Sequence, residues 1–285
     1  MKGTSRVVEL PQGEARGRYT QEMFGSIAPR YDLLNHLLSG GLDRRWRQRA
    51  AAAACDTELS AAPSRERTCP PEPWRRRKLA GTPETRGSST LATSPVFVDV
   101  CTGTGDLAIA LARRAPRAHI IACDFSRPML ALAQRKFAAA GLAGRTVLLE
   151  ADALVLPVAD GAADAATCAF GLRNLTDPAR GLAEMVRVVR PGRRVAILEF
   201  HSPRSLGGLT SAFALYFRRI LPRLGAWISG GDRGGYQYLV DSILDFGPPE
   251  RTVRSLQAAG LASVRVEALT GGIASVFVGV KYHNV

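Results

Sequence analysis

No stretch of this 285-residue chain comes near the ~18 to 20 uninterrupted apolar residues that a membrane-crossing helix needs. The opening MKGTSRVVELPQGEARGR has no apolar core and contains acids, which argues against a secretory leader. Cysteine is scarce, and the five present (Cys55, Cys69, Cys101, Cys123, Cys168) form neither a C-x-x-C pair nor a zinc-ligand spacing, so no metal centre is expected. Three of the five fall in strand-like runs, where small buried thiols are the simpler reading. That usage fits a reducing cytoplasm. Acids are short as well: 25 against 38 basic residues, a formal net charge of +13. Such a balance draws a protein towards nucleic acid, anionic lipid or acidic partners. Here the bases are mostly arginines spread along the chain, as a G+C-rich genome would also produce, so the charge identifies no partner.

What is present is enough apolar material, 46% of residues, to fill one sizeable core. From Val96 onward strands and helices alternate, which predicts a parallel sheet covered on both faces. Strands are expected at Val96–Val100, His119–Cys123, Thr146–Leu149, Ala163–Phe170 and Arg194–Phe200. Helices are expected at Leu107–Arg114, at Met129–Ala140 behind an N-cap at Ser126, and from Asp177-Pro178 to Arg190, where Pro191-Gly192 ends the run. Val264–Ala268 and Ala274–Val280, separated by Gly271-Gly272, read as an antiparallel pair. The organisation is a disordered N-terminus (1–18) and a single domain (19–285). A Pro-, Ser-, Thr- and Arg-rich insertion (56–95) has too few large apolar residues to fold on its own. Leu209–Ile228 carries Phe213, Phe217, Ile220 and Leu224 at helical spacing, flanked by Arg218, Arg219 and Arg223. Such a stripe either lines a closed pocket or rests on an anionic bilayer surface.

The chemistry concentrates at strand ends. VFVDVCTGTGDLA (Val96–Ala108) is a buried strand ending in Asp99, then a glycine turn with Gly103, Thr104 and Gly105, then a helix. Glycines at such a turn let backbone amides approach a ligand closely. The turn alone also fits the dinucleotide fingerprint G-x-G-x-x-G/A. Asp99 shifts the balance, because a carboxylate there crowds a pyrophosphate but suits a ligand with a cationic amino-acid end and no phosphates. S-adenosylmethionine is such a ligand. Asp124 ends the second strand about twenty residues on, where an acid meets the two ribose hydroxyls. Asp152 and Ala153 follow the third strand, a carboxylate for an adenine amino group beside a small residue that leaves room for the ring. After the fourth strand come Ala169, Phe170, Gly171, Leu172, Arg173 and Asn174, facing the reacting methyl group if ligands bind outside the carboxyl ends of the strands. His201, after the fifth strand, lies at the same face, as a base or as a loop residue.

TGTGDLA, CDFSRPML, EADALVLPVADGAAD, FGLRNLTDP and RPGRRVAILEF resemble, in order, the ubiquinone/menaquinone biosynthesis C-methyltransferases. FGSIAPRYDLLNHLLSGGLDRRWR, YQYLVDSI and LTGGIASVFVGVK resemble them too. Only the first eighteen residues and 56–95 fall outside the likeness. FGLRN and the RYDLLNHLLS block are specific to that family, whereas GTGD says only class I methyltransferase. Ala169 stands where many members have serine, and Phe277 where histidine is common. The resemblance implies a class I S-adenosylmethionine-dependent methyltransferase fold of class α/β, with a seven-stranded mostly parallel sheet and an antiparallel last strand. It further implies methyl transfer to a ring carbon of a polyprenyl hydroquinone, demethylmenaquinol or a ubiquinol precursor. Arg173 and Asn174 are then expected to hold the quinol oxygen, Tyr31 from an N-terminal helix to close the pocket, and His201 to border the substrate. Arginine is a poor general base, so Arg173 is expected to stabilise a phenolate or relay through water. The protein is expected in the cytoplasm, visiting the inner membrane surface.

Two rivals remain at this stage. RNA methylation would account for the charge, but an Asn/Asp-Pro-Pro-aromatic turn is absent after the fourth strand, and no Pro-Cys turn presents Cys168. No nucleic-acid partner is therefore expected. A non-enzymatic cofactor-binding subunit would have no need of Arg173 or the glycine turn.

Overall fold

The computed structural model describes residues 14–56, 94–201 and 246–282, with 238, 242 and 243. Most of the insertion (57–93) and the Leu209–Ile228 stripe lie outside the described residues. Helix α1 (Glu14–Ser39) begins inside the 1–18 segment, and a turn at Gly40-Gly41 leads into α2 (Asp43–Cys55). Strands β1 (Val96–Val100), β2 (His119–Asp124), β3 (Thr146–Glu150), β4 (Ala163–Ala169) and β5 (Val189–Phe200) follow. They alternate with α3 (Asp106–Arg114), α4 (Arg127–Ala139) and α5 (Pro178–Val188). Helix α6 (Pro249–Ala258) precedes β6 (Leu261–Leu269) and β7 (Ala274–Lys281).

The seven strands lie in the order β3-β2-β1-β4-β5-β7-β6. The first five are parallel, β7 runs antiparallel to β5, and β6 runs antiparallel to β7. Successive strand residues point to opposite faces, so each strand feeds two cores. Phe97 joins Trp46, Leu111 and Phe137 beneath α2, α3 and α4. Val98 and Val100 join Leu182, Met185 and Leu256 beneath α5 and α6. Each such large apolar side chain taken from water contributes ~1.5–3 kcal/mol. Helix α2 packs closely on α3, with Ala50, Ala51 and Ala54 buried on one side and Ala108 and Ala112 on the other. Trp46 Nε1 donates to Thr270 Oγ1 at 3.0 Å and ties α2 to the β6–β7 connection.

Five of the seven expected strands begin where the sequence places them; β6 begins earlier, at Leu261 instead of Val264, and the α5–β5 junction also differs. Helix α5 ends at Val188, and Val189 already pairs with Ala163. The chain then loops out through Pro191 and Gly192, the latter at φ 75°, and pairs again at Arg194 with Ala165. Pro191-Gly192 is thus an irregularity within a strand, not the stop of a helix. Ser126 occupies the N-cap position of α4 but its hydroxyl makes no cap; the Ser126 N–H instead donates to Asp124 Oδ1. Asp177 does cap α5, accepting from the Arg180 N–H at 3.0 Å.

Gly105 shows why the turn after β1 needs its second glycine. It sits at φ 86°, and a Cβ there would lie 2.5 Å from Phe137 Cε1 on α4. Gly105→Ala is expected to destabilise the fold by about 1–3 kcal/mol through overpacking and backbone strain. Urea unfolding checks this, and a midpoint unchanged from the parent would refute it.

Candidate active site

Strand order reverses between β1 and β4, and the chains leaving their carboxyl ends diverge, opening a crevice where open α/β sheets bind ligands. A cavity of about 360 Å³ occupies that place, within the ~300–1,000 Å³ usual for small-molecule sites. Gly103, Asp124, Asp152, Ala153, Ala169 and Asn174 all border it, and Tyr31 reaches it from α1.

Asp124 is buried at the end of β2, held by two backbone amides: Gly103 N–H at 2.8 Å and Ser126 N–H at 2.9 Å. Burial raises its pKa to about 6, against the pull of those amides. Gly103, at φ 56°, turns its amide towards Asp124; a Cβ would meet only Tyr31 Cε1 at 3.6 Å, so conformation rather than space demands the glycine. Asp152 Oδ1 accepts from the Leu154 N–H at 2.9 Å, which shapes the turn that carries Ala153. Tyr31 packs edge-to-face on Phe24, and burial raises its pKa above the ordinary 10, so the phenol is neutral.

Other expected site residues stand back from the cavity wall. Asp99 is 1% exposed, and its two oxygens accept from Thr102 Oγ1 and Thr167 Oγ1, each at 2.6 Å. Burial raises its pKa to about 6, opposed by those hydroxyls. It borders a second, much smaller void that shares Tyr31, Cys101 and Ala169 with the main cavity. Thr104 also borders the small void, its hydroxyl donating to Asp32 Oδ1 at 2.6 Å and accepting from Lys136 Nζ at 3.1 Å. Gly105 borders neither; its place is the contact with α4.

The loop after β4 corrects the expectation for Arg173. Its guanidinium does not border the described cavities. It forms a buried ion pair with Glu199 of β5, donates from Nε to Ser242 Oγ at 3.3 Å, and lies over the Phe170 and Phe200 rings. An arginine so placed holds the loop to β5. Asn174 fits the expectation better, but with its roles reversed. Its Nδ2 donates to the Phe170 carbonyl at 3.1 Å, and its buried Oδ1 has no partner among the described residues. That assignment makes it an acceptor from a ligand hydroxyl rather than a donor to an oxyanion. His201 is also displaced: it is 2% exposed, packed edge-to-face on Phe277, and outside both voids. Burial lowers its pKa to about 4, so the ring is neutral and no base for the cavity.

Several contributors were missed. Thr20, Gln21 and Phe24 line the cavity from α1, and Gln21 Nε2 donates to the Phe125 carbonyl at 2.8 Å, clamping α1 onto the β2–α4 turn. Glu199 had a signal: it is a lone acid inside the apolar run of β5. Thr167, a hydroxyl in a buried strand, had almost none.

The sheet order, the glycine turn at the β1–β4 crossover and the carboxylate ending β2 define an S-adenosylmethionine-dependent methyltransferase. The ubiE/COQ5 methyltransferase family matches the chain over residues 72–281. The demethylmenaquinone methyltransferases of Deinococcus radiodurans and Thermus thermophilus are each 45% identical, over 93% and 90% of this chain and 94% and 99% of their own lengths. An O-methyltransferase family protein of Burkholderia thailandensis superposes with a TM-score of 0.52 at 15% identity, covering 95% of this chain and 61% of that one, a likeness of fold alone. The chain belongs to the ubiE/COQ5 methyltransferase family.

Because the Arg173 and Glu199 side chains are 1% and 0% exposed, removing either leaves the other charge buried. Glu199→Leu is expected to cost about 3–5 kcal/mol, and Arg173→Met/Glu199→Leu together much less than the sum. A chemical-denaturation double-mutant cycle checks this; additive losses would mean the pair is not coupled.

Proposed function

We propose that this enzyme transfers a methyl group from S-adenosylmethionine to a ring carbon of a polyprenyl hydroquinone, converting demethylmenaquinol to menaquinol with release of a proton. The observation that carries the reading is the convergence of Asp124, Asp152–Ala153 and Asn174 on one cavity at the β1–β4 crossover. The names of the Deinococcus and Thermus relatives supply the acceptor class. A ubiquinol precursor is the second acceptor to test, since relatives at 36% identity carry the joint ubiquinone/menaquinone name.

The residues present fit the cofactor. Asp124 is oriented by its two amide donors to accept from vicinal ribose hydroxyls, and Ala153 leaves space for a flat base beside Asp152. Gly103 and Ala169 of the main cavity would border the donor, and Asp99, with Thr104 on the same small void, would attract its cationic amino-acid end. When bound, the cofactor supplies an electrophilic methyl on a sulfonium. The chain's own task is alignment and charge control. Asn174 Oδ1 accepts the quinol hydroxyl proton in a hydrogen bond, which raises electron density at the ring carbon. Tyr31, neutral at working pH, donates to an oxygen as charge develops there. Arg173 acts through position, fixing the Phe170–Asn174 loop against Glu199. No helix among the described residues is long and apolar enough to cross a membrane. A polyprenyl acceptor therefore calls for a visit to an anionic bilayer surface.

Methyl transfer from labelled S-adenosylmethionine to reduced short-chain quinol, with oxidised quinone and RNA as controls, tests the activity. Label in RNA, or equal label in quinone and quinol, would overturn it. Asp124→Ala is expected to weaken cofactor binding by about 1.5–3 kcal/mol, and calorimetry on the folded variant with unchanged affinity would remove Asp124 from the site. The pH dependence has a defined sign. Burial puts Asp124 near pKa 6, and ribose hydroxyls donate to its ionised form, so affinity rises as pH rises through about 6 and binding there releases protons. Calorimetry at that pH in buffers of different ionisation enthalpy measures the release.

A further inference from the structure

We propose that Arg47 of α2 is the receptor for the carboxylate at the amino-acid end of S-adenosylmethionine, completing with Asp99 a zwitterion site outside the glycine-turn motif. The inference rests on the cofactor reading above and adds to it a residue that the motif does not contain. The amino-acid end of the ligand carries an ammonium and a carboxylate together. A fold that takes the ammonium with the buried Asp99 brings the carboxylate into the same low-dielectric corner, where an unpaired anion is costly. That corner needs a cation within the length of one amino acid.

The small void beside the main cavity is where the two meet. Its volume is about 10 Å³, the room for a single water, and its walls are polar: Tyr31, Arg47, Asp99, Thr102, Thr104 and Asp106. Arg47 is the one cation bordering it among the described residues. The alternatives are spoken for. Arg173 is locked to Glu199, and Lys136 pairs with Asp32 and Asp106 on the outer side of Thr104. Arg47 is 6% exposed, and its positive charge acts on both Asp99 and Tyr31.

Its geometry is set in advance. Nη1 pairs with Asp43 one turn earlier, and Asp43 is itself held by His36 Nδ1 at 2.7 Å and Ser39 Oγ at 3.0 Å from the end of α1. The guanidinium lies 5.3 Å from the Phe170 ring centroid, which fixes its plane as cation–π contacts do. Nη1 is taken by Asp43 and also lies 4.0 Å from Asp106 Oδ2, while no hydrogen bond to Nε or Nη2 engages Arg47 among the described residues and a guanidinium has five N–H donors. The edge that remains is suited to a carboxylate.

The test uses ligands that differ in this end alone. S-adenosylhomocysteine has the amino-acid end, whereas 5′-methylthioadenosine keeps the adenosine and lacks it. By calorimetry, Arg47→Met is expected to weaken S-adenosylhomocysteine about 10- to 100-fold, the loss of a charge-assisted hydrogen bond, and to leave 5′-methylthioadenosine unchanged. Arg47→Lys should recover part of the loss. Since Arg47→Met leaves Asp43 buried without its cation, the same comparison is made between Asp43→Asn and Asp43→Asn/Arg47→Met, which bury no unpaired carboxylate. Equal losses for both ligands, or no loss for either, overturn the role of Arg47. Failure of the parent protein to bind either ligand would instead overturn the cofactor reading, and the inference with it.

Discussion

The burial of two carboxylates at neighbouring strand ends is the constraint around which this molecule is arranged. Asp99 and Asp124 lie on β1 and β2, and burial raises the pKa of each to about 6. Neither is left to bear that cost alone. Asp99 receives two threonine hydroxyls, one from its own turn and one from β4, while Asp124 receives two backbone amides, one of them from the glycine turn. The positive φ of Gly103 follows from the second requirement, since only that conformation carries its amide to Asp124. Glycine turn, buried acids and hydroxyl-bearing strand are therefore one device. It keeps two anions in place at a site built to receive a cationic, hydroxyl-bearing ligand.

A third buried acid does different work. Glu199 accepts from the Phe200 and Arg173 backbone amides as well as from the Arg173 side chain. All of its partners lie on β5 or on the loop after β4, so it fastens the two strand ends beside the cavity. The Phe170 ring between them stacks on Phe200 and carries Arg47 on its other contacts. Through that ring the conformation of the substrate-side loop is coupled to the position of α2.

The parallel sheet was readable because its signal is local. Apolar runs of strand length, helix periods, an Asp-Pro start at Asp177 and Gly141 at the end of α4 each act within a few residues of themselves. That Asp124, Asp152 and Ala153 come to one cavity was readable because a crossover sheet brings strand ends together. What was misread depends on partners far away in sequence. Arg173 looked like an anion receptor because a cation at a strand mouth must find an anion; it does, but the anion is Glu199, on the neighbouring strand. His201 read as a base or a loop residue at the substrate because it follows a strand, yet it is buried against Phe277, outside both voids, and burial keeps it neutral. Thr104 and Gly105 belong to the motif but serve the contacts to α1 and α4. The looped-out Pro191-Gly192 was invisible because a proline and glycine after a helix read as its stop, and only the pairing of Val189 with Ala163 says otherwise.

The division of labour between sheet and cap follows from this. The sheet and its turn carry the groups that any ligand of this chemistry needs. Helices α1 and α2 add what the sheet lacks: Gln21 clamps the β2–α4 turn, Asp32 engages Thr104, Tyr31 faces Gly103, and Arg47 reaches the corner behind Asp99. They are anchored at both ends of the site, by Trp46 to Thr270 near β7 and by the Asp43 cluster at the α1–α2 turn. An open crossover crevice exposes its ligand to water on one side. Closing that side with apolar Phe24 and neutral Tyr31 lowers the local dielectric, which strengthens every charged contact the sheet makes. The sheet therefore selects the ligand class, and the helices set the environment in which a methyl group is transferred.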